Sequence, residues 1–187
     1  MSVEEVAQLV LQSLEAHKIE YMIVGSLASN LHGVPRATQD ADIVIECDKF
    51  SLNSFIDSLQ GNFYVDNQAA LDALKSRSMF NIVHFSSGIK IDLIVRKWRD
   101  YNAEEFERRR QIHFRGTPRW VASPEDVILG KLEWSRIGAS ERQFNDAVNI
   151  AKIQRDRIDV QYLRRWANEL NITKLLDKLF EDVNKSI

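Results

Sequence analysis

The strongest constraint on this chain is a change of pattern at Ser123-Pro124-Glu125. Upstream, short apolar runs of strand length (21–24, 40–46, 79–85 and 89–95) alternate with helical stretches. Downstream only helical periodicity remains, over 124–136, 140–154, 159–170 and 172–184. Ser123 suits an N-cap and Pro124 the first helical position, where no amide donor is required. The pattern predicts an α+β (mixed α/β) chain: a core over 1–122, built on a small mixed sheet flanked by helices, then a C-terminal helical domain over 123–187. With seven glycines and three prolines in 187 residues, the chain is too poor in turn formers for an all-β fold.

Within the first half, 3–18 reads as an amphipathic helix, and the strand at 21–24 ends on Gly25-Ser26, with Ser26 as a candidate cap for a helix over 27–32. A loop follows over 33–39, then a strand over 40–46 and a helix over 49–60. A weaker strand at 63–65 and a helix at 69–75 precede two strands joined by Ser86-Ser87-Gly88, which predict a hairpin. Residues 102–110 look helical, and 112–115 with 120–122 suggest a last edge strand or extended segment. One cysteine, Cys47, excludes an internal disulfide and a CxxC zinc site. No apolar run reaches the ~18 residues of a membrane span, and the acidic N-terminus is unlike a signal peptide, so the expectation is a cytoplasmic protein without membrane contact.

The chemistry concentrates in Gly25-Ser26, thirteen residues, then Asp40-Ala41-Asp42. Alternate residues of a strand share a face, so Asp40 and Asp42 project together and repel unless a positive charge stands between them. A divalent cation with oxygen preference is the simplest solution. Asp92, inside the apolar run Ile91-Asp92-Leu93-Ile94-Val95, is costly to bury unless paired, or else points to solvent. Solubility alone explains an Asp-x-Asp pair about as well as function does. Three strand aspartates beside a Gly-Ser turn favour metals held for phosphoryl transfer.

Ile23-Val24-Gly25-Ser26, Asp40-Ala41-Asp42-Ile43 and Asp92 resemble the DNA polymerase β-like nucleotidyltransferase superfamily. The segment from Gly33 to Asp42 resembles its minimal bacterial branch, which includes AbiEii-type and MenT-type toxins. The likeness is specific over 20–46 and 89–95 and looser in the helical half, around Pro124-Glu125-Asp126, Lys131, Arg142 and Asp146. It implies a nucleotidyltransferase core that moves a nucleoside monophosphate from a nucleoside triphosphate to an acceptor hydroxyl, with Mg²⁺ or Mn²⁺ as cofactor. It makes Asp40, Asp42 and Asp92 both the catalytic residues and the metal ligands. Gly25 and Ser26 would cradle the phosphates at a helix start. Arg36 and Thr38 would contact the triphosphate or base, or simply order their loop. Lys131 would reach the triphosphate as a point charge. Asp146 is a further nucleotide-binding candidate, although four residues after Arg142 it equally fits an i,i+4 ion pair.

The acceptor stays open between tRNA or other RNA, a protein and a small molecule such as an antibiotic; the toxin-like branch would add an antitoxin partner. The formal net charge of −2 gives no global pull on nucleic acid. Residues 96–119, however, carry eight Lys and Arg against four Asp and Glu, a local +4 that tilts the expectation toward RNA, unless it is a solvated helix face. Trp98 and Trp120 flank that stretch and leave base stacking open. The four histidines show no zinc spacing, and Cys47 has no nearby histidine to activate it. A non-catalytic nucleotide-binding or regulatory protein on the same fold is the alternative from another class.

Overall fold

A computed structural model describes residues 1–185; Ser186 and Ile187, the last two of the expected helical domain, lie outside the described residues. Contacts divide the chain into two units. The first comprises Met1–Leu27 and Ala37–Val121; the second comprises Ala28–Arg36 and the chain from Ala122 onward.

The first unit is a seven-stranded mixed sheet with helices. In chain order its elements are α1 (Val3–Ala16), β1 (Glu20–Val24), the start of α2 (Gly25–His32), β2 (Asp40–Glu46), α3 (Lys49–Ser58), β3 (Phe63–Val65), α4 (Asn67–Ser76), β4 (Met79–His84), β5 (Lys90–Val95), α5 (Asp100–Glu107), β6 (Arg110–Phe114) and β7 (Thr117–Val121). The strand order is β3-β4-β5-β2-β1-β7-β6. The β2–β5 and β1–β7 pairs are parallel, and the rest are antiparallel. The mixed α/β core with its flanking helices is as the sequence predicts.

Period-two burial makes the sheet two-faced. Along β2, Ala41, Ile43 and Ile45 are fully buried, while Asp40, Asp42, Val44 and Glu46 are half-buried on the other side. Ile91, Leu93 and Val95 continue the apolar face on β5. α1 packs on β1 and β2 through a stripe at helical spacing that includes Val6, Val10 and Leu14. Each such aliphatic side chain contributes about 1.5–3 kcal/mol of burial. A capping box starts α1: the Ser2 hydroxyl accepts from the Glu5 amide, and the Glu5 carboxylate accepts from the Ser2 amide.

Three local expectations are corrected. The helix expected to run to residue 110 ends at Glu107, and Arg110 already opens β6. The expected single edge strand is a β6–β7 hairpin, turned by Arg115 and Gly116 at φ 51° and 80°. β7 lies inside the sheet beside β1, and β6 takes the edge. Nor does Ser26 cap α2: the helix starts one residue earlier, at Gly25.

The second unit gathers α6 (Pro124–Gly138), α7 (Glu141–Gln154), α8 (Val160–Glu169) and α9 (Thr173–Asn184) with the end of α2 and the loop to Arg36. Ser123 is the N-cap of α6, accepting from the Asp126 amide, with Pro124 opening the helix as the sequence predicts. Ile128, Leu132, Ile150, Leu163 and Leu176 are fully buried in the core. Among the described residues no helix is long and apolar enough to cross a membrane.

Candidate active site

The register of β2 on β5 decides the site. Asp40 pairs with Lys90 and Asp42 with Asp92 across neighbouring parallel strands, so all four side chains leave one face of the sheet. The apolar residues Ala41, Ile43, Ile91 and Leu93 anchor the same strands from the opposite face. Asp92 is 5% exposed. The Lys90 ammonium donates to Asp92 Oδ2 at 2.7 Å, while Asp92 Oδ1 is buried with no partner. That hydrogen bond raises the Lys90 pKa above its ordinary value. Burial opposes the rise, and the charges of Asp92, Asp40 and Asp42 add to it. All three carboxylates therefore act on one ammonium.

Sequence reasoning brought the three aspartates together and missed Lys90. The signal was present: Lys90 stands two residues before Asp92 in the same strand, and hence on its face.

Two neighbours fix the carboxylates in place. Gly25 has φ 59°, and a Cβ there would collide with the Asp42 carboxylate, so glycine serves both the turn and the close approach. The Thr38 hydroxyl lies 3.0 Å from the Asp40 carbonyl and 3.2 Å from Asp40 Oδ1, and with one proton it donates to one of them at a time. Thr38 thus orders Asp40 in this structure. Ser26 follows Gly25 in the first turn of α2, where helix amides have no intrahelical acceptor.

Among the described residues no three His, Cys, Asp or Glu side chains form a ready-made metal cage. The donor chemistry nonetheless suits a hard divalent cation: carboxylate oxygens only, Asp42 and Asp92 in register, and one buried oxygen of Asp92 unpartnered.

The remaining candidates, Arg36, Lys131 and Asp146, meet in the second unit. Arg36 Nη2 donates to Asp146 Oδ2 at 2.9 Å and Nε to Oδ1 at 3.1 Å, while Lys131 Nζ donates to Oδ2 at 2.9 Å. Asn30 pins the Arg36 backbone through both its amide and its carbonyl. Burial pushes the Asp146 carboxyl up, but the Arg36 and Lys131 hydrogen bonds outweigh it and hold the pKa below the ordinary 3.8. The partners of Asp146 are thus Arg36 and Lys131, not Arg142 one turn before it.

The basic stretch is corrected as a free positive surface. Arg96 bonds Glu46, Arg109 bonds Glu20, Arg115 bonds Glu5 and Arg119 bonds Glu15, so four of the eight cations are matched by carboxylates from outside the stretch. Each of the two tryptophan rings also carries a guanidinium: that of Arg77 lies 4.7 Å from the Trp98 ring centroid, and that of Arg109 lies 5.1 Å from Trp120, while Trp98 stays 72% exposed. His32 is buried, its Nε2 2.7 Å from the Ala122 carbonyl oxygen. Burial, with Glu46 and Asp48 adding, pushes the Cys47 thiol up to about 11, the opposite of an activated nucleophile.

No protein-family model and no curated protein matches the chain. Solved structures do. An antigenic nucleotidyltransferase-like protein from Paracoccidioides brasiliensis superposes with a TM-score of 0.64 at 17% identity, covering 97% of this chain and 88% of its own. The ANT(2")-Ia structure in complex with adenylyl-2"-tobramycin gives 0.61 at 12% identity, over 90% of this chain and 96% of its own. The lincomycin-bound lincosamide antibiotic adenylyltransferase LnuA gives 0.55 at 14% identity, over 81% and 98%. With its mixed sheet and nine helices among the described residues, the chain has the nucleotidyltransferase fold.

Proposed function

We propose that the protein is a metal-dependent nucleotidyltransferase, transferring a nucleoside monophosphate from a nucleoside triphosphate to an acceptor hydroxyl. The observation that carries this reading is the register of Asp42 on Asp92, which sets two carboxylates side by side on one sheet face, with Asp40 one step along and a buried oxygen of Asp92 unpartnered. Asp40, Asp42 and Asp92 would hold Mg²⁺ or Mn²⁺. Bound there, the cation neutralises triphosphate charge and makes the acceptor hydroxyl more acidic.

Gly25, lacking a side chain, lets the backbone approach the phosphates, and Ser26 offers its hydroxyl and amide at the start of α2. Asp92 stays a metal ligand, and the acceptor hydroxyl gives up its proton to water. The hydroxyl oxygen bonds to the α-phosphorus, and the bond from that phosphorus to the bridging oxygen breaks. Pyrophosphate leaves with the electron pair. Within the second unit, Arg36 and Lys131, both bonded to Asp146, are the side chains suited to contact phosphate.

The acceptor in this reading is a small molecule bearing hydroxyls. Two of the similar structures are antibiotic adenylyltransferases by name or bound product. The basic stretch that favoured RNA spends four of its arginines on internal ion pairs. An RNA acceptor and an antitoxin partner rest on the resemblance to the toxin branch alone. The test is incubation with Mg²⁺, each of the four α-labelled triphosphates, and an acceptor panel of aminoglycosides, lincosamides and total RNA. A labelled product that Asp42→Asn abolishes is expected. No labelled product with any acceptor would overturn the reading.

A further inference from the structure

Three carboxylates share one face of β2 and β5, and a cation belonging to the chain already sits among them. Lys90 is paired with Asp40 in the strand register and donates to Asp92 Oδ2 at 2.7 Å. Asp92, with a side chain 7% exposed, has Oδ2 held by that ammonium and Oδ1 buried without a partner. The carboxylate is therefore half satisfied: one oxygen is committed to an internal cation and the other is waiting for something. The Lys90 side chain is 42% exposed on a four-carbon stem, so the ammonium can withdraw into solvent at little cost, whereas Asp92 on a central strand cannot follow it.

We propose that Lys90 is the resident counter-cation of the carboxylate trio, holding Asp92 in the unloaded protein and competing with the divalent ion for it. A divalent ion brought against Asp92 meets the like charge of an ammonium 2.7 Å from Oδ2, so Lys90 weakens divalent binding while keeping the aspartate oriented. Lys90 is a positioning residue in this scheme, acting through Asp92. The inference rests on the reading of Asp40, Asp42 and Asp92 as metal ligands, and its test separates the two.

Mn²⁺ alone is titrated into the full chain, and free Mn²⁺ is followed by its electron paramagnetic resonance signal. Lys90→Met removes the competing charge and is expected to tighten Mn²⁺ binding about tenfold or more. Lys90→Arg keeps the charge and is expected to bind as the wild type does. A thermal melt of each variant without metal checks folding and reads the other half of the proposal: Lys90→Met melts lower in the absence of Mn²⁺ and regains the difference when it is saturated. Equal or weaker Mn²⁺ binding by a folded Lys90→Met overturns the proposal. If Lys90→Met does not fold, Lys90→Gln replaces it with the same expectation and the same overturning result. Binding that survives Asp42→Asn unchanged overturns the metal-ligand reading itself.

Discussion

Asp42 sits where it does because the residue beside it has no side chain. With φ 59° and its missing Cβ directed at the Asp42 carboxylate, Gly25 meets two requirements no other residue meets together. Gly25→Ala should cost about 1–2 kcal/mol for the left-handed backbone alone, and the collision must also displace Asp42. We expect a lower urea midpoint and a loss of transfer activity larger than the stability loss explains. A Gly25→Ala protein with full turnover would show that Asp42 need not lie there. Far from the carboxylates, Tyr21 gives a spectroscopic reading of the sheet's apolar face. Burial first, then its hydrogen bond to Glu15 at 2.6 Å, pushes its phenol up to about 12 from 10.0. Between those values the unfolded chain has lost the proton and the folded one retains it, so this contribution to stability is whole below pH 10 and is lost as pH rises toward 12. Ultraviolet titration should show a late tyrosine ionisation that Glu15→Gln moves earlier.

At the scale of elements, α6, α7 and the loop after α2 are tied by one charge cluster. Lys131, from α6, is 4% exposed at its side chain, and Asp146, from α7, is 10% exposed. Asp146→Ala would take from Lys131 and Arg36 the carboxylate that both bond, at a cost of about 3 kcal/mol. Because the folded Asp146 pKa lies below 3.8, its stabilisation is fully present above that value and disappears as pH falls through the folded one. Urea midpoints measured down the acid limb should fall for the wild type and change less for Asp146→Ala. Most elements were legible because their period was unambiguous: the alternation of β2, the stripe of α1, and the Ser123-Pro124 start of α6. The β6–β7 hairpin was not. Arg108, Arg109 and Arg110 continue a polar helical pattern, and only the pairing of β7 with β1 reveals the strands. The partners of Asp146 were hidden for a related reason. A neighbour four residues away is visible in sequence, whereas Arg36 lies 110 residues upstream.

For the molecule as a whole, charge placement matters more than charge balance. The net charge is −2, and the one segment that looked locally basic is offset by Glu5, Glu15, Glu20 and Glu46. Sequence shows where cations cluster along the chain but not which carboxylates the fold brings to them, so the three aspartates were readable and the partners of the arginines were not. Non-specific RNA binding depends on cations that give up counterions to phosphates, and an arginine whose charge is already matched by a neighbouring carboxylate supplies less of that. We therefore expect a fluorescent single-stranded RNA to bind the full protein no more tightly than about 10⁻⁴ M at physiological salt, with a shallow dependence on salt concentration. Breaking the internal pairs sharpens the test. Glu20→Gln and Glu46→Gln together release Arg109 and Arg96 and should strengthen RNA binding and steepen its salt slope. Micromolar binding by the wild type, with a slope that falls when Arg108, Arg109 and Arg110 are replaced, would instead return RNA to first place as the acceptor.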